Sequence, residues 1–212
     1  MRVRKVVTRR GRHIRGYFPS KKLNRMVAWE SLLEKDALLL MELSPGVLSY
    51  QEQPEEISYW DGQAMCSYVP DLRVNLCSEI SLLIEVKPSA ELERPVVKAK
   101  YQRIAQHLQE RREHFLILTE QEIRQEPLFR NLSQLLYWYN HAPENLPSAK
   151  EVAAKLKGRD HTCIQECLEI FGPGVTYSMI AKGLLVPDMS LVLTPASSVQ
   201  LPVGGQHAAI YF

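Results

Sequence analysis

The sequence predicts an α/β fold, a mixed sheet flanked by helices and followed by a small second domain. Three observations predict it. Apolar positions crowd residues 24–43 and 91–112 in the manner of amphipathic helices. Between those stretches lie three strand-like runs, at 50–60, 64–76 and 80–87. A further apolar run, HFLILT at 114–119, follows the second helix, so strand, helix and strand describe a right-handed parallel crossover.

The first element, NRMVAWESLLEKDALLLMEL, holds strong helix formers and neither Gly nor Pro. At about 100° per residue, Val27, Ala37, Leu38 and Met41 fall within roughly 60° of Glu34, with Arg25, Lys35 and Asp36 on the other side. Glu34 is thus an acid within an apolar stripe. Pro45 and Gly46 punctuate the end of this helix. Asp61-Gly62 is a hairpin signal between the first two strand-like runs, and a second connection at 77–79 leads to the third, predicting a three-stranded antiparallel meander. In ISLLIEVK, Ile80, Leu82, Ile84 and Val86 face one way and Ser81, Leu83, Glu85 and Lys87 the other. Both faces are largely apolar, which predicts a central, covered strand. The second helix turns Val96, Val97, Tyr101, Ile104, Ala105 and Leu108 to one side. EQEIR and PLFRNLSQLLYWYN add helical cover, and Tyr137, Trp138 and Tyr139 there read as core plus a partner surface rather than as a base-stacking platform.

Four segments follow: a basic arm at 1–25, the α/β domain at 26–142, a linker at 143–150 with the composition HAPENLPSAK around it, and a second domain at 151–212. The last holds helical stretches around EVAAKL, TCIQECLEIF and TYSMIAKGL and then LVPDMSLVLTPASSV, the winged-helix arrangement of three small helices and a β-hairpin. The net charge of +2 hides an asymmetry: ten Lys or Arg and no acid lie in residues 1–25, leaving the rest near −8. Such a block suits phosphate contacts that depend on salt and not on base sequence, and equally a solvated tail. Hydrophobic content of 45% with 24% charged residues excludes disordered and fibrous classes. No run of about 18 apolar residues implies a membrane span. The basic N-terminus lacks an apolar core of a secretory signal, so a cytoplasmic protein is expected. Cysteines 66, 77, 163 and 167 form no CxxC pair and read as reduced thiols.

The chemistry concentrates in YVPDLRV and LLIEVKP. Glu85 and Lys87 share one face at a strand end, and Asp71 lies on the neighbouring antiparallel strand. Buried charges must be paired, solvated in a cleft or bound to metal. Two nearby carboxylates repel each other, a cost that a divalent cation removes, and Mg²⁺ takes one or two carboxylates with water and phosphate oxygens. In phosphodiester hydrolysis Asp71 and Glu85 would hold the metal, with the Val86 carbonyl as a further ligand. Lys87 would position or help deprotonate water and offset charge on the phosphate. Glu34 would complete the site, directly or through water. An isolated ExK is usually a surface salt bridge; the preceding Pro-Asp, the upstream helical Glu and the order of elements raise the catalytic reading.

These elements resemble the PD-(D/E)XK nucleases and, within them, the TnsA-type transposon endonucleases. ESLLEKDALLLMELSPGVLSYQEQP, YVPDLRV, LLIEVKP and HFLILTEQEIRQEPLFRNLSQLLYWY carry the resemblance, in order, over roughly residues 25–140. It implies a restriction-endonuclease-like core with Glu34, Asp71, Glu85 and Lys87 at the catalytic positions. Glu85 stands where some members of the family have Gln. The resemblance also implies a Mg²⁺-dependent nuclease, with Mn²⁺ able to substitute, that cuts the 5′ strand of double-stranded DNA at transposon ends. Its implied partners are the DDE transposase TnsB, which cuts and joins the 3′ ends, and the AAA+ regulator TnsC; on DNA the protein would be nucleoid-associated. The C-terminal module, with only Lys182 as a Lys or Arg between 160 and 212, would dock protein rather than read a groove. Candidate DNA contacts are Arg9, Arg10, Arg12, Arg15, Lys21, Lys22, Gln53, Lys98 and Lys100. Two other readings stay open: a stand-alone nuclease of resolvase or repair type, and a catalytically silent DNA-binding assembly factor.

Overall fold

The computed structural model describes residues 14–157, 162–202 and 209–212. The chain divides into two compact units, one built mainly from residues up to 124 and the other mainly from residues 125–211 with a short piece at 43–46. The division falls before the linker predicted at 143–150, because the helix predicted at 127–140 clusters with the second unit.

In the first unit, strands β1 (Gly16–Ser20) and β2 (Arg25–Trp29) form an antiparallel hairpin that registers Phe18 with Val27. This corrects two expectations. The arm predicted at 1–25 is folded from Gly16 onward, and the helix predicted from residue 24 begins only at Leu32. The reason is local: Asn24, at φ 51°, reverses the chain, and the pairing buries Phe18, Val27 and Ala28 at 4% exposure or less. Helix α1 (Leu32–Leu43) then starts where the Ser31 hydroxyl accepts the Glu34 N–H at 3.1 Å. Val27, Ala37, Leu38 and Met41, grouped by the sequence on one stripe, are all at most 1% exposed.

The central sheet runs in the order β3 (Val47–Glu52), β6 (Leu72–Leu76), β7 (Ser81–Val86), β8 (His114–Leu118). Only the β7–β8 pair is parallel. β7 is therefore central, as its two apolar faces require. The expected meander is divided: β4 (Ile57–Trp60) and β5 (Met65–Tyr68) make a separate hairpin around Asp61-Gly62. The sequence explains the breaks, since Pro54 and Pro70 cannot donate to a ladder and Gln53 is held at φ 43°. One bond, Gln53 N–H to the Asp71 carbonyl at 2.9 Å, spans the joint.

The second predicted helix is two, α2 (Ser89–Leu92) and α3 (Pro95–Glu110), because Pro95 opens a new helix at its first position. Of the predicted apolar face, Tyr101, Ile104 and Leu108 are buried with Ile57, Tyr59, Tyr68 and Leu83 in one core cluster. Val96, by contrast, is 82% exposed. A short helix α4 (Glu120–Ile123), opened by a Thr119 and Glu122 capping box, follows β8.

The second unit holds α5 (Leu128–Asn140), α6 (Ala149–Leu156), β9 (Thr162–Cys163), α7 (Ile164–Ala181), β10 (Val186–Pro187) and β11 (Ser198–Gln200). The three short strands pair in the order β10, β11, β9. Helix α7 is two helices joined at Gly172, whose φ of 76° suits glycine, followed by Pro173. Trp138 of α5 stacks on Tyr177 of α7 at 5.5 Å, while Tyr137 stays 58% exposed and stacks on His141. Among the described residues no helix is long and apolar enough to cross a membrane.

Candidate active site

The strand ends of β6 and β7 build the site. Extending their register by one residue beyond Leu72↔Ile84 sets Asp71 opposite Glu85, and residues opposite one another share a face. The Asp71 carboxylate accepts the Val86 N–H at 2.8 Å, which fixes it at the point where β6 begins. The Lys87 N–H donates to the Leu118 carbonyl at 3.0 Å, so β8 holds the lysine in place. Its ammonium lies 3.4 Å from Glu85 Oε1.

Glu34, Asp71, Glu85 and Lys87 line one cleft of about 580 Å³, together with Glu30, Glu56, Ser67, Tyr68, Val69, Lys100 and Tyr101. The structure thus brings the four expected catalytic residues together. Glu34 also serves its own helix, since its carboxylate accepts the Glu30 N–H at 2.8 Å at the start of α1. Glu85 is 5% exposed, and each of its oxygens takes a phenol: Oε2 accepts from Tyr68 at 2.8 Å and Oε1 from Tyr101.

Electrostatics follow from the crowding of acids. Burial, then the negative charges of Glu85 and Glu34, hold the Asp71 carboxyl well above its usual range, with the Val86 N–H opposing. Burial likewise raises Glu34; bonds from Glu30 and Ser31 oppose, and the charges of Glu30 and Glu85 add. For Lys87, burial pulls the ammonium down, but Glu85 and Asp71 outweigh it and the net shift is upward. Tyr68 and Tyr101 are pushed far above the ordinary phenol value by burial and then by Glu85. They remain neutral donors at any working pH.

Among the described residues no group of three or more His, Cys, Asp or Glu side chains forms a metal cage. The donor chemistry still fits Mg²⁺. Two hard carboxylates that repel each other, Asp71 and Glu85, match an ion that is usually held by one or two carboxylates and otherwise by water and phosphate.

The candidate DNA contacts separate. Arg9, Arg10 and Arg12 lie outside the described residues. Lys100 lines the cleft, with its ammonium 5.7 and 5.3 Å from the rings of Tyr68 and Tyr101. Lys21 and Lys98 are not buried, and Arg15 lies 3.7 Å from Glu30. Lys22 is a correction: its ammonium turns inward to the Met41 and Val47 carbonyls at 2.9 and 2.7 Å. Burial lowers it to about 8 against the opposing charge of Glu42. Gln53 is corrected too, being 4% exposed and outside the residues lining the cleft; its backbone serves the joint beside Asp71.

Sequence reasoning missed Glu30, Glu56 and the two tyrosines. Tyr101 was legible only as part of an apolar stripe, although a phenol in such a stripe needs a partner for its hydroxyl. That need was the available signal.

Comparison with known proteins agrees with the motifs. No curated protein matches the chain. Residues 44–120 match the family model described as TnsA-like endonuclease N terminal, which contains Asp71, Glu85 and Lys87 and leaves Glu34 outside. The match supports a nuclease of the TnsA type, and the restriction-endonuclease-like mixed α/β architecture is consistent with it. Over residues 44–120, then, the resemblance read from PD and ExK is a match to the TnsA-like endonuclease N-terminal domain.

Proposed function

We propose that the chain is a Mg²⁺-dependent DNA endonuclease, the TnsA-like subunit of a heteromeric transposase, and that it cleaves the 5′ strand at transposon ends. The observation that carries this reading is the convergence of Asp71, Glu85 and Lys87 in one cleft, inside the segment that matches the family. Asp71 and Glu85 would hold the cation, with the Val86 carbonyl beside them and Glu34 in reach of a water in the same cleft. When bound, Mg²⁺ (or Mn²⁺) would polarise the phosphate and favour ionisation of water. Lys87, kept cationic by its carboxylate neighbours, would orient the attacking water and balance charge gathering on the phosphate. Lys100, across the cleft, would contact the phosphate next along the strand.

The basic residues before β1 would add contacts to the DNA backbone. In the second unit, the order α6, β9, the two halves of α7, β10, β11 with a three-stranded sheet supports a winged-helix reading. Its shortage of basic residues favours docking to TnsC or TnsB.

The test is cleavage of end-labelled transposon ends with the cognate DDE transposase and Mg²⁺ present. Asp71→Ala and Lys87→Ala should lose the 5′ cut while 3′ joining persists. Rapid nicking of generic duplex by the chain alone would favour a stand-alone nuclease, and unchanged cutting by both variants would leave only a scaffold.

A further inference from the structure

A carboxylate on a strand end rotates freely unless something outside the metal fixes it, so the way Glu85 is held bears on how it could bind an ion. Glu85 lies on the same face of β7 as Leu83, which packs in the core cluster with Tyr68 and Tyr101. The two rings come from different elements, β5 and α3, and meet edge to face at 6.4 Å. Phe115 of β8 buttresses Tyr68 at 6.2 Å and 87°. Each tyrosine is 5% exposed, so neither ring has room to leave. Their hydroxyls reach the two oxygens of one carboxylate, and the Lys100 ammonium lies over both rings. A cation at that position makes each phenol a stronger donor.

Resting on the metal-dependent reading, we infer that Tyr68 and Tyr101 are positioning residues that clamp Glu85 for cation binding, each orienting one carboxylate oxygen. A carboxylate oxygen has two lone pairs. Oε1 already meets Tyr101 and Lys87, whereas Oε2 meets Tyr68. Oε2, with one partner where Oε1 has two, is therefore the oxygen that would keep a lone pair for the ion. The clamp fixes rotamer and lone-pair direction. Outer hydrogen-bond partners do the same in metal sites, where their loss typically costs about 10–100-fold in affinity.

The test is direct Mn²⁺ binding to the purified full chain, read by electron paramagnetic resonance of free Mn²⁺ and by calorimetry. Variants are Tyr68→Phe, Tyr101→Phe and the double change, which keep ring volume and remove only hydroxyls. Tyr59→Phe, in the same core cluster but with its hydroxyl elsewhere, serves as control, and thermal unfolding confirms folding. The expected result is a weakening of about tenfold for each single variant and toward 100-fold for the double. The control should bind like wild type. Wild-type affinity in the double variant, or tighter binding, would overturn the clamp while Asp71-dependent binding still upheld the metal site. Wild-type chain with no Asp71-dependent Mn²⁺ binding would overturn the metal reading itself and the clamp with it.

Discussion

Replacing Asp71 by Asn should make the metal-free protein more stable and inactive at once. The Asn side chain still offers an oxygen to the Val86 N–H, so the bond at 2.8 Å has a substitute acceptor. What disappears is a charge that burial, Glu85 and Glu34 all disfavour. Relief of this kind commonly yields about 0.5–2 kcal/mol, which for a chain of this size is roughly 1–8 °C in melting temperature. The sign follows from proton linkage. The folded chain binds the Asp71 proton more tightly than the unfolded chain, so wild-type stability falls as pH climbs from the ordinary value of 3.8 through the raised one. The advantage of Asn is therefore full above that window and fades toward 3.8. On the proposed metal reading, adding cation should reverse the ranking: at a hundred times its Kd a ligand that binds only the folded state adds about 2.7 kcal/mol to wild type. Thermal unfolding in EDTA and in Mg²⁺, from pH 8 down to pH 4, measures all of this. A variant no more stable than wild type in EDTA at pH 7.5 would refute the repulsion argument, as would an advantage that persisted at pH 4.

Other consequences are separable. Lys87→Ala should slow single-turnover cleavage by about 10²–10³-fold, the usual worth of one preorganised donor facing developing charge, while DNA affinity in a filter-binding assay changes little. Arg25→Ala strips the bidentate partner, at 2.8 and 2.6 Å, from the buried Glu52, and should cost about 1.5–3 kcal/mol in urea unfolding. Burial works to raise Glu52, but Arg25 prevails and lowers it, so that loss should be present above the ordinary 4.5 and diminish as pH falls below it. Gly172→Ala meets no atom within 4 Å, so its cost, about 1–3 kcal/mol by thermal unfolding, should come from the backbone alone, held at φ 76° and ψ 165° where essentially only glycine sits. Removing residues 1–13, which hold six Lys or Arg, should flatten the salt dependence of DNA binding more than it alters base preference.

The residues that proved legible in the sequence were those whose chemistry conflicts with their surroundings. Asp71, Glu85 and Lys87 stood out because charges interrupt apolar strands, and Glu34 because it interrupts an apolar helical stripe. Their meeting in one cleft follows from an antiparallel register that the order of elements already implied. Tyr68 and Tyr101 did not stand out, since an aromatic ring satisfies the same pattern as a core residue and the hydroxyl leaves no trace in periodicity. The hairpin β1–β2 was hidden by its basic composition: charge density drew attention away from Phe18 and Val27, which the pairing buries. The broken meander was misread for another reason. Pro54 and Pro70 were present in the strands, but only the ladder shows that both interruptions fall at the same level, joined by Gln53 and Asp71. Lys22 misled because composition does not reveal that a lysine among arginines can turn inward to backbone carbonyls.

The backbone bond from Lys87 to Leu118 has a consequence for synthesis of the chain. Acid and base residues are translated early, yet the strand that fixes Lys87 is β8, made after α3, and Tyr101 arrives on that helix. A parallel pairing across the crossover is a long-range contact and forms late. While the ribosome is still short of residue 118, the β6–β7 pairing can set Asp71 opposite Glu85, but the Lys87 backbone still lacks its partner. On the proposed nuclease reading, cutting ability would be complete only when the fourth strand of the sheet has docked.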